Sequence, residues 1–99
     1  MNGRRVPGRG RLPASGARKL LPRRAWRKVQ RSLGMTPREL AVVQSLFDNS
    51  SEPAIARELG VTVHTVHTHF GRLYAKLGVR SHVQLVLRIL AEYLALSAD

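Results

Sequence analysis

Apolar side chains recur with the spacing of a helix over most of the chain after residue 35. The longest series falls on one face of a helix over residues 62–77 and consists of Val66, Phe70, Leu73 and Leu77. Shorter series occupy residues 36–48, residues 51–59 and the segment after Ser81. No stretch alternates apolar and polar residues as a half-buried strand does. The pattern therefore predicts an all-α domain of four helices.

The residues around these segments match the caps of helices. Thr36 and Glu39 form a capping box around Pro37, which suits the first position of a helix. Each of the other three helices follows a hydroxyl residue that can act as its N-cap: Ser51, Thr62 and Ser81. Gly60 and Gly78 are expected to end two helices in the left-handed conformation, and Asn49 to do the same for the first.

The same spacing predicts which side chains are buried in the three shorter helices. We expect the inward residues to be Leu40, Val43, Leu46 and Phe47 in the first, Ile55, Ala56 and Leu59 in the second, and Val83, Val86, Ile89, Leu90 and Tyr93 in the last. These residues would form one core with the series of the third helix.

The second and third predicted helices are joined by the short turn Gly60-Val61, as in a helix-turn-helix motif. The face of the third helix opposite its apolar series carries His64, Thr65, His67, Thr68, Gly71, Arg72 and Lys76. Small hydrogen-bonding side chains at the start of a helix suit the DNA major groove, and the helix N-terminus favours phosphate. The motif therefore indicates double-stranded DNA as a partner.

Charge is distributed unevenly along the chain. Residues 1–34 contain eleven basic residues and no acidic one, whereas residues 35–99 contain six of each. We therefore divide the chain into a basic, largely disordered tail (1–34) and a domain (35–99), and expect the tail to attract a polyanion. Residues 23–33 could form a short basic helix with Trp26, Val29 and Leu33 on one face.

The histidines could also be read as a metal site. His64 and His67 have the spacing of helical ligands, but His69 lies on a different face and no further ligand stands in the same turn. We therefore expect no metal and no cofactor. The sequence has no cysteine and shows no catalytic triad, carboxylate pair or glycine-rich phosphate loop, so an enzyme is not expected.

Two stretches carry a family likeness: LGMTPREL at residues 33–40 and AIARELGVTVHTVHTHFGRLYAKLGVRSHVQLV at residues 54–86. Over about residues 34–94 the chain closely resembles the LuxR/GerE-type helix-turn-helix domain, also called the NarL/FixJ type. The resemblance implies a four-helix DNA-binding domain of bacterial transcription regulators that binds inverted half-sites as a dimer through its last helix. The sensory domain usual in such regulators is not expected within residues 1–34.

The resemblance also suggests which side chains contact DNA. The positions of base-edge contacts hold His67, Thr68 and Gly71, to which we add His64 from the same exposed face. The positions near backbone phosphates hold Thr62, Thr65, Arg57, Arg80 and Ser81, and Arg72 and Lys76 join them from the third helix. Alternatively, Thr62 and Ser81 are only helix caps, and Arg57 is only a solvated surface charge.

The chain departs from the family pattern at His64, His67 and His82, where such domains often carry Lys or Arg. Gly71 offers no side chain to a base. Base preference therefore cannot be carried over from relatives. We expect the basic tail to supply the phosphate attraction that neutral histidines lack, unless it is only a linker.

The apolar residues of the last helix spread over about half of its circumference, which is more than one core contact needs. We expect the surplus residues Leu87, Leu90 and Leu94 to form a self-complementary dimer face. Alternatively, the face formed by Trp26, Val29 and Leu33 covers them within one chain.

The leading interpretation is a sequence-specific transcription regulator that binds double-stranded DNA as a homodimer, with residues 62–77 in the major groove. RNA polymerase is a candidate further partner. No apolar run approaches the ~20 residues of a membrane span, and a cytoplasmic, nucleoid-associated protein is expected. Two alternatives stay open: a non-specific binder of RNA or anionic membranes driven by the tail, and a module that docks on a larger regulator.

Overall fold

The computed structural model describes residues 16–49 and 51–98, and these residues form only helices and turns. A short 3-10 turn at Ala17–Leu20 precedes five helices: α1 Arg23–Leu33, α2 Pro37–Asp48, α3 Glu52–Leu59, α4 Val63–Leu77 and α5 His82–Ser97. The all-α prediction is confirmed. The four predicted helices correspond to α2 to α5, and α1 is a further ordered helix.

The N-terminal ends of α2 to α5 have the predicted caps. The Thr36 hydroxyl accepts a hydrogen bond from the Glu39 amide at 3.1 Å, and the Glu39 carboxylate accepts one from the Thr36 amide at 2.9 Å. Each of the other predicted caps accepts a bond from the amide three residues further on: Ser51, Thr62 and Ser81. These bonds satisfy amides that have no partner inside the helix.

The C-terminal ends confirm two predictions and correct one. Gly60 and Gly78 both have φ near 70°, the left-handed conformation that glycine adopts without strain. The expectation for Asn49 is wrong, because its φ is −128° and its backbone is extended. Its side-chain amide instead donates to the Ser45 carbonyl at 2.9 Å and to the Glu58 carboxylate at 2.8 Å. These contacts hold Asn49 in the extended form.

The apolar series of α4 lies at the centre of the core. Val66, Phe70 and Leu73 are fully buried, and Leu77 is partly buried. α4 contacts α2, α3 and α5. The predicted face of α4 is therefore confirmed, and its orientation is fixed from three sides.

The inward face of α5 differs from the prediction. Val83 is not buried but 68% exposed, whereas Leu85, which the spacing left out, is fully buried together with Ile89. The face begins with His82, whose ring centroid lies 4.4 Å from that of Phe70. Because this aromatic contact turns α5, the residues three and seven positions after His82 face the core. The apolar spacing therefore predicted the wrong inward face, because the residue at which this face begins is polar.

α1 is part of the core rather than part of a disordered tail. Val29 is fully buried, and the Trp26 ring meets Phe47 edge-on with centroids 4.9 Å apart. The Trp26 indole donates to the Arg18 carbonyl at 2.8 Å, and α1 packs along α5. The possible helix over residues 23–33 is therefore confirmed as α1, because tertiary packing supplies the burial that so short a helix lacks alone. The expectation of disorder is wrong for residues 16–22, where Ala17 and Leu21 are buried. Residues 1–15, to which the same expectation applies, lie outside the described residues.

A polar cluster ties the 3-10 turn to α2 and α3. The Ser45 hydroxyl, which is fully buried, donates to Glu58 at 2.7 Å, and the Asn49 amide donates to the same oxygen. The Arg18 guanidinium binds both Glu58 and Asp48. Burial raises the pKa of Glu58, but the hydrogen bonds from Ser45, Arg18 and Asn49 and the charge of Arg18 outweigh it. The pKa therefore lies below its ordinary value.

We expect Glu58→Gln to lower the free energy of unfolding at pH 7 by about 1 to 2 kcal/mol, a figure kept low because the side chain is partly exposed. Because the pKa of Glu58 is lower in the folded state than in the unfolded state, where it is about 4.3, ionised Glu58 stabilises the fold above that pH. This contribution is lost as the pH falls through the pKa of the folded state. The wild type should therefore lose more stability than the variant between about pH 6 and pH 3. Urea unfolding followed by fluorescence of Trp26, the only tryptophan, measures the free energy of unfolding of the two proteins at each pH. Identical pH dependence of the two proteins would contradict this role.

Candidate nucleic-acid interface

The exposed face of α4 is set by the way α3 and α4 meet. Gly60 ends α3 in the left-handed conformation, and the Val61 amide donates to the Ala56 carbonyl at 3.0 Å. The chain therefore reverses within a few residues and α4 begins at once. Ile55 of α3 and Val66 of α4 are both fully buried. With that side of α4 fixed in the core, the opposite side must face solvent.

The structure brings the four predicted base-contacting residues to one exposed face of α4: His64, His67, Thr68 and Gly71. The first turn of the helix presents two hydroxyl groups beside them. Thr62 Oγ1 accepts from the Thr65 amide at 3.1 Å and lies 3.0 Å from Thr65 Oγ1. Thr62 is thus a helix cap, while its exposed position also leaves it open to an outside partner.

Two residues on this face differ in what they can offer a ligand. The Thr68 hydroxyl donates to the His64 carbonyl at 3.0 Å, so its hydrogen is used and its oxygen is left as an acceptor. A Cβ atom built on Gly71 would meet no atom within 4 Å. The surface at Gly71 is therefore open, and the helix backbone can be approached closely there.

Glu52, at the start of α3, lies between two histidines. One carboxylate oxygen is 3.4 Å from Nδ1 of His67, and the other is 3.3 Å from Nε2 of His82. His67 remains 77% exposed, with Nε2 as its other ring nitrogen. Sequence reasoning missed Glu52 as part of this face. No local pattern could have found it, because the three residues come from three helices that meet only in the fold.

Three of the residues predicted for phosphate contacts are arginines. Arg57, Arg72 and Arg80 are exposed, and within residues 16–49 and 51–98 none has an acidic side chain at ion-pair distance. The Arg80 amide donates to the Gln84 side chain at 2.8 Å, and Ser81 caps α5 by accepting from the Gln84 amide at 3.1 Å. Three of the positions predicted for phosphate contacts thus carry unneutralised charge.

Lys76 is engaged within the protein. Its ammonium donates to the Glu39 carboxylate at 2.7 Å and to the Gly34 carbonyl at 3.0 Å. Burial raises the pKa of Glu39, but the hydrogen bonds from Lys76 and from Thr36 and the charge of Lys76 outweigh it, so this pKa is lowered. The ion pair ties the last turn of α4 to the start of α2. The charge of Lys76 is therefore largely neutralised, unlike that of the three arginines.

The predicted dimer residues do not share one environment. Leu87 and Leu94 are 58% and 65% exposed, whereas Leu90 is half-buried and packs against the core. Val83 lies four residues before Leu87 and extends the exposed series. We call Val83, Leu87 and Leu94 the outer stripe of α5. α1 packs along α5 but leaves this stripe exposed.

Within residues 16–49 and 51–98, no group of three or more His, Asp or Glu residues is arranged to hold a metal ion. None of the helices in this part of the chain combines the length and the apolar character needed to cross a membrane.

Comparison with known proteins agrees with the geometry. The family model of bacterial regulatory proteins, luxR family, matches residues 33–89. A protein of Mycobacterium tuberculosis named as an HTH-type transcriptional regulator is 46% identical over 52 residues, covering 52% of this chain and 6% of the relative. The transcriptional regulatory protein UhpA of Escherichia coli is 40% identical over 55 residues, covering 56% of this chain and 28% of the relative. No solved structure matches the chain at the significance these relatives reach.

The chain thus covers less than a third of the length of these curated relatives. The family match includes the turn after Gly60, all of α4 and the start of α5, whereas α1 lies almost entirely outside it. It covers more than half of the chain and confirms the resemblance drawn from the sequence motifs. The chain belongs to the luxR family of bacterial regulatory proteins and contains the helix-turn-helix DNA-binding domain of transcription regulators.

Proposed function

We propose that this chain binds a specific sequence of double-stranded DNA with α4 in the major groove, and that it regulates transcription as a dimer. The observation that carries the proposal is the exposed face of α4. Between His64 and Gly71 this face has no side chain bulkier than histidine and no buried salt bridge. A recognition helix needs such a face over its first turns. Membership of the luxR family supports the same function.

The four exposed residues of α4 would share the reading of base edges. With Nδ1 of His67 near Glu52, its Nε2 is the nitrogen free for a base. The Thr68 oxygen can accept a hydrogen bond, and its methyl group suits the methyl of thymine. Gly71 would let the helix backbone come close to the base pairs. His64, one turn nearer the N-terminus, extends the contact along the groove.

Contacts with the DNA backbone would come from both sides of α4. The hydroxyls of Thr62, Thr65 and Ser81 mark the starts of α4 and α5, where helix N-termini favour phosphate. Of the arginines predicted for phosphate contacts, none has an acidic side chain at ion-pair distance within the described residues: Arg57, Arg72 and Arg80. Lys76 is left out of this set, because Glu39 and the Gly34 carbonyl already hold it.

Dimerisation would use the outer stripe of α5, with Leu90 at its edge. An apolar stripe that repeats on a second copy of the chain forms a self-complementary contact. The alternative that α1 covers these residues within one chain is not favoured, because Leu87 and Leu94 stay exposed beside it. RNA polymerase is a proposed partner of the DNA-bound dimer, and a place in the cytoplasm follows from the proposed function.

A second candidate function is non-specific binding to polyanions. The exposed cations of α1 favour it, since charge alone attracts any nucleic acid. This candidate differs from the first in one measurable respect, because it gives every duplex sequence the same affinity.

Selection from a pool of random duplexes tests the proposal. The wild type should enrich one inverted sequence. His67→Ala with Thr68→Ala should reduce the preference for that sequence at least about 30-fold, since each base contact gives about 1 to 3 kcal/mol of discrimination. Lys19→Ala changes an exposed residue on the 3-10 turn and should enrich the same sequence as the wild type. Equal enrichment by the double variant, or none by the wild type, would refute the proposal.

Gly71→Ala separates stability from binding. We expect the variant to raise the free energy of unfolding by up to about 1 kcal/mol, because alanine favours a helix over glycine and the site is open. We also expect at least about fivefold weaker binding to the enriched sequence, because one buried clash costs about 1 kcal/mol or more. Urea unfolding and fluorescence anisotropy measure the two effects. A stabilised variant with unchanged affinity would remove Gly71 from the interface.

Leu87→Ser should raise the dissociation constant of the dimer at least about tenfold, since burial of a leucine contributes about 1.5 to 3 kcal/mol. Leu20→Ser is the matched control, because Leu20 is also an exposed leucine but lies outside α5. Analytical ultracentrifugation with and without the enriched duplex measures the association. If Leu87→Ser associates as the wild type does, the dimer face lies elsewhere.

A further inference from the structure

α1 has two faces of opposite character. Its five cations are exposed and fall within about 140° of the helix circumference: Arg23, Arg24, Arg27, Lys28 and Arg31. We call this the basic face of α1. Trp26 and Val29 lie on the other side and are buried. Because the apolar side is docked in the core, the basic face is held in a fixed position toward solvent.

The basic face has no acidic partner in the part of the chain that the structure describes. The acidic side chains there contact other residues: Asp48 and Glu58 contact Arg18, Glu39 contacts Lys76, Glu52 contacts His67 and His82, and Glu92 contacts Arg88. The charge of the basic face is therefore uncompensated within the described protein.

α1 also breaks the local rules of helix stability. Pro22 at its N-cap makes no side-chain bond, and Arg23 and Arg24 occupy a first turn without an acid, where the helix dipole disfavours positive charge. Arg27 stands four residues from both Arg23 and Arg31, a spacing at which like charges repel. Such conflicts between local preference and fold are expected at functional sites. An anion bound to this face would offset the repulsion between the arginines and their unfavourable interaction with the helix dipole.

We propose that the basic face of α1 binds the phosphate backbone of the duplex that α4 reads, outside the base pairs that α4 contacts. This inference rests on the proposed function. Four of the five cations are arginines, whose planar guanidinium groups match phosphate oxygens in pairs. Arg23, Arg27 and Arg31 form a row about 12 Å long. Each strand of a duplex carries one phosphate per ~3.4 Å of helix axis, so several phosphates lie within the length of such a row.

The position of α1 fits this role. α1 ends at Leu33, and the carbonyl of its C-cap Gly34 accepts a hydrogen bond from Lys76 in the last turn of α4 at 3.0 Å. The end of α4 that enters the groove is the opposite one. The C-terminal end of α1 therefore lies beside the end of α4 that is away from the proposed base contacts, so that the basic face would add to these contacts without competing.

An anionic membrane is the other surface with dense negative charge. Amphipathic helices bind membranes by inserting their apolar side between the lipids. In α1 that side is already occupied, since Trp26 packs on Phe47 and Val29 is fully buried. Only the basic face is free, and it suits a hydrated array of phosphates. The observations therefore favour DNA.

The test compares the wild-type chain of 99 residues with Arg23→Gln/Arg24→Gln/Arg27→Gln on the enriched duplex between about 50 and 200 mM salt. Each phosphate contact adds about 0.9 to the slope of log affinity against log salt concentration, so the slope should become shallower by about 2 to 3. Extending the duplex by about one helical turn (~10 base pairs) on each side should strengthen wild-type binding more than variant binding. The matched control is Arg23→Lys/Arg24→Lys/Arg27→Lys, which keeps the charge and should keep most of the slope.

The glutamine variant should fold, because it removes repulsion and leaves Trp26 and Val29 in place. Its melting temperature should be equal to or higher than that of the wild type, and its Trp26 fluorescence should be unchanged. A shallower slope in such a protein is assigned to the missing cations rather than to loss of α1.

An unchanged salt slope in the glutamine variant would overturn the inference. So would binding of the wild type to phosphatidylserine vesicles that the variant loses while its DNA affinity stays the same. The proposed function is tested separately, by whether one duplex sequence is enriched. A variant that enriches the same duplex sequence with a shallower slope supports both, whereas a wild type that enriches no sequence overturns the proposed function whatever the slope.

Discussion

The burial of Val66, Phe70 and Leu73 between α2, α3 and α5 is the contact on which the rest of the structure depends. It fixes the rotation of α4 about its axis, so the residues on the other side of this helix must face solvent. Through the ring of Phe70 it also places His82 and with it the start of α5. The shape of the candidate interface is thus a consequence of core packing, because a helix held on three sides has only one side left to present.

The distribution of charge separates two tasks. The candidate reading face of α4 holds histidines, a threonine and a glycine, while the dense positive charge stands on α1. Base contacts give specificity, and phosphate contacts give position and affinity. Within the described residues the acidic side chains are engaged with cations or histidines, so they do little to weaken the field of α1. A family domain whose candidate reading face carries no arginine or lysine is in this way joined to a basic helix that the family match barely includes.

The stability of α1 comes from its surroundings and not from its own sequence. Its N-cap and the charges of its first turn oppose a helix, yet Trp26, Val29 and the bond from the indole to the Arg18 carbonyl hold it in place. Arg18 in turn is fixed by Asp48 and Glu58, whose carboxylates also order the end of α2. Burial lowers the pKa of the Arg18 guanidinium, but hydrogen bonds and charge from these carboxylates outweigh it, so the pKa is raised. A polar cluster thus supports the docking of a helix that would be marginal alone.

The sequence by itself determined α2 to α5, their N-caps and the exposed face of α4, because each depends on residues within one or two helical turns of one another. The tertiary structure decided what lies between distant segments. Lys76 meets Glu39 across 37 positions, and Arg18 meets Glu58 across 40. The order of α1, the exposure of Val83 and the place of Glu52 between two histidines have the same origin. Local spacing fixes which face of a helix is apolar, but only packing against other helices decides what that face meets and which charges remain free.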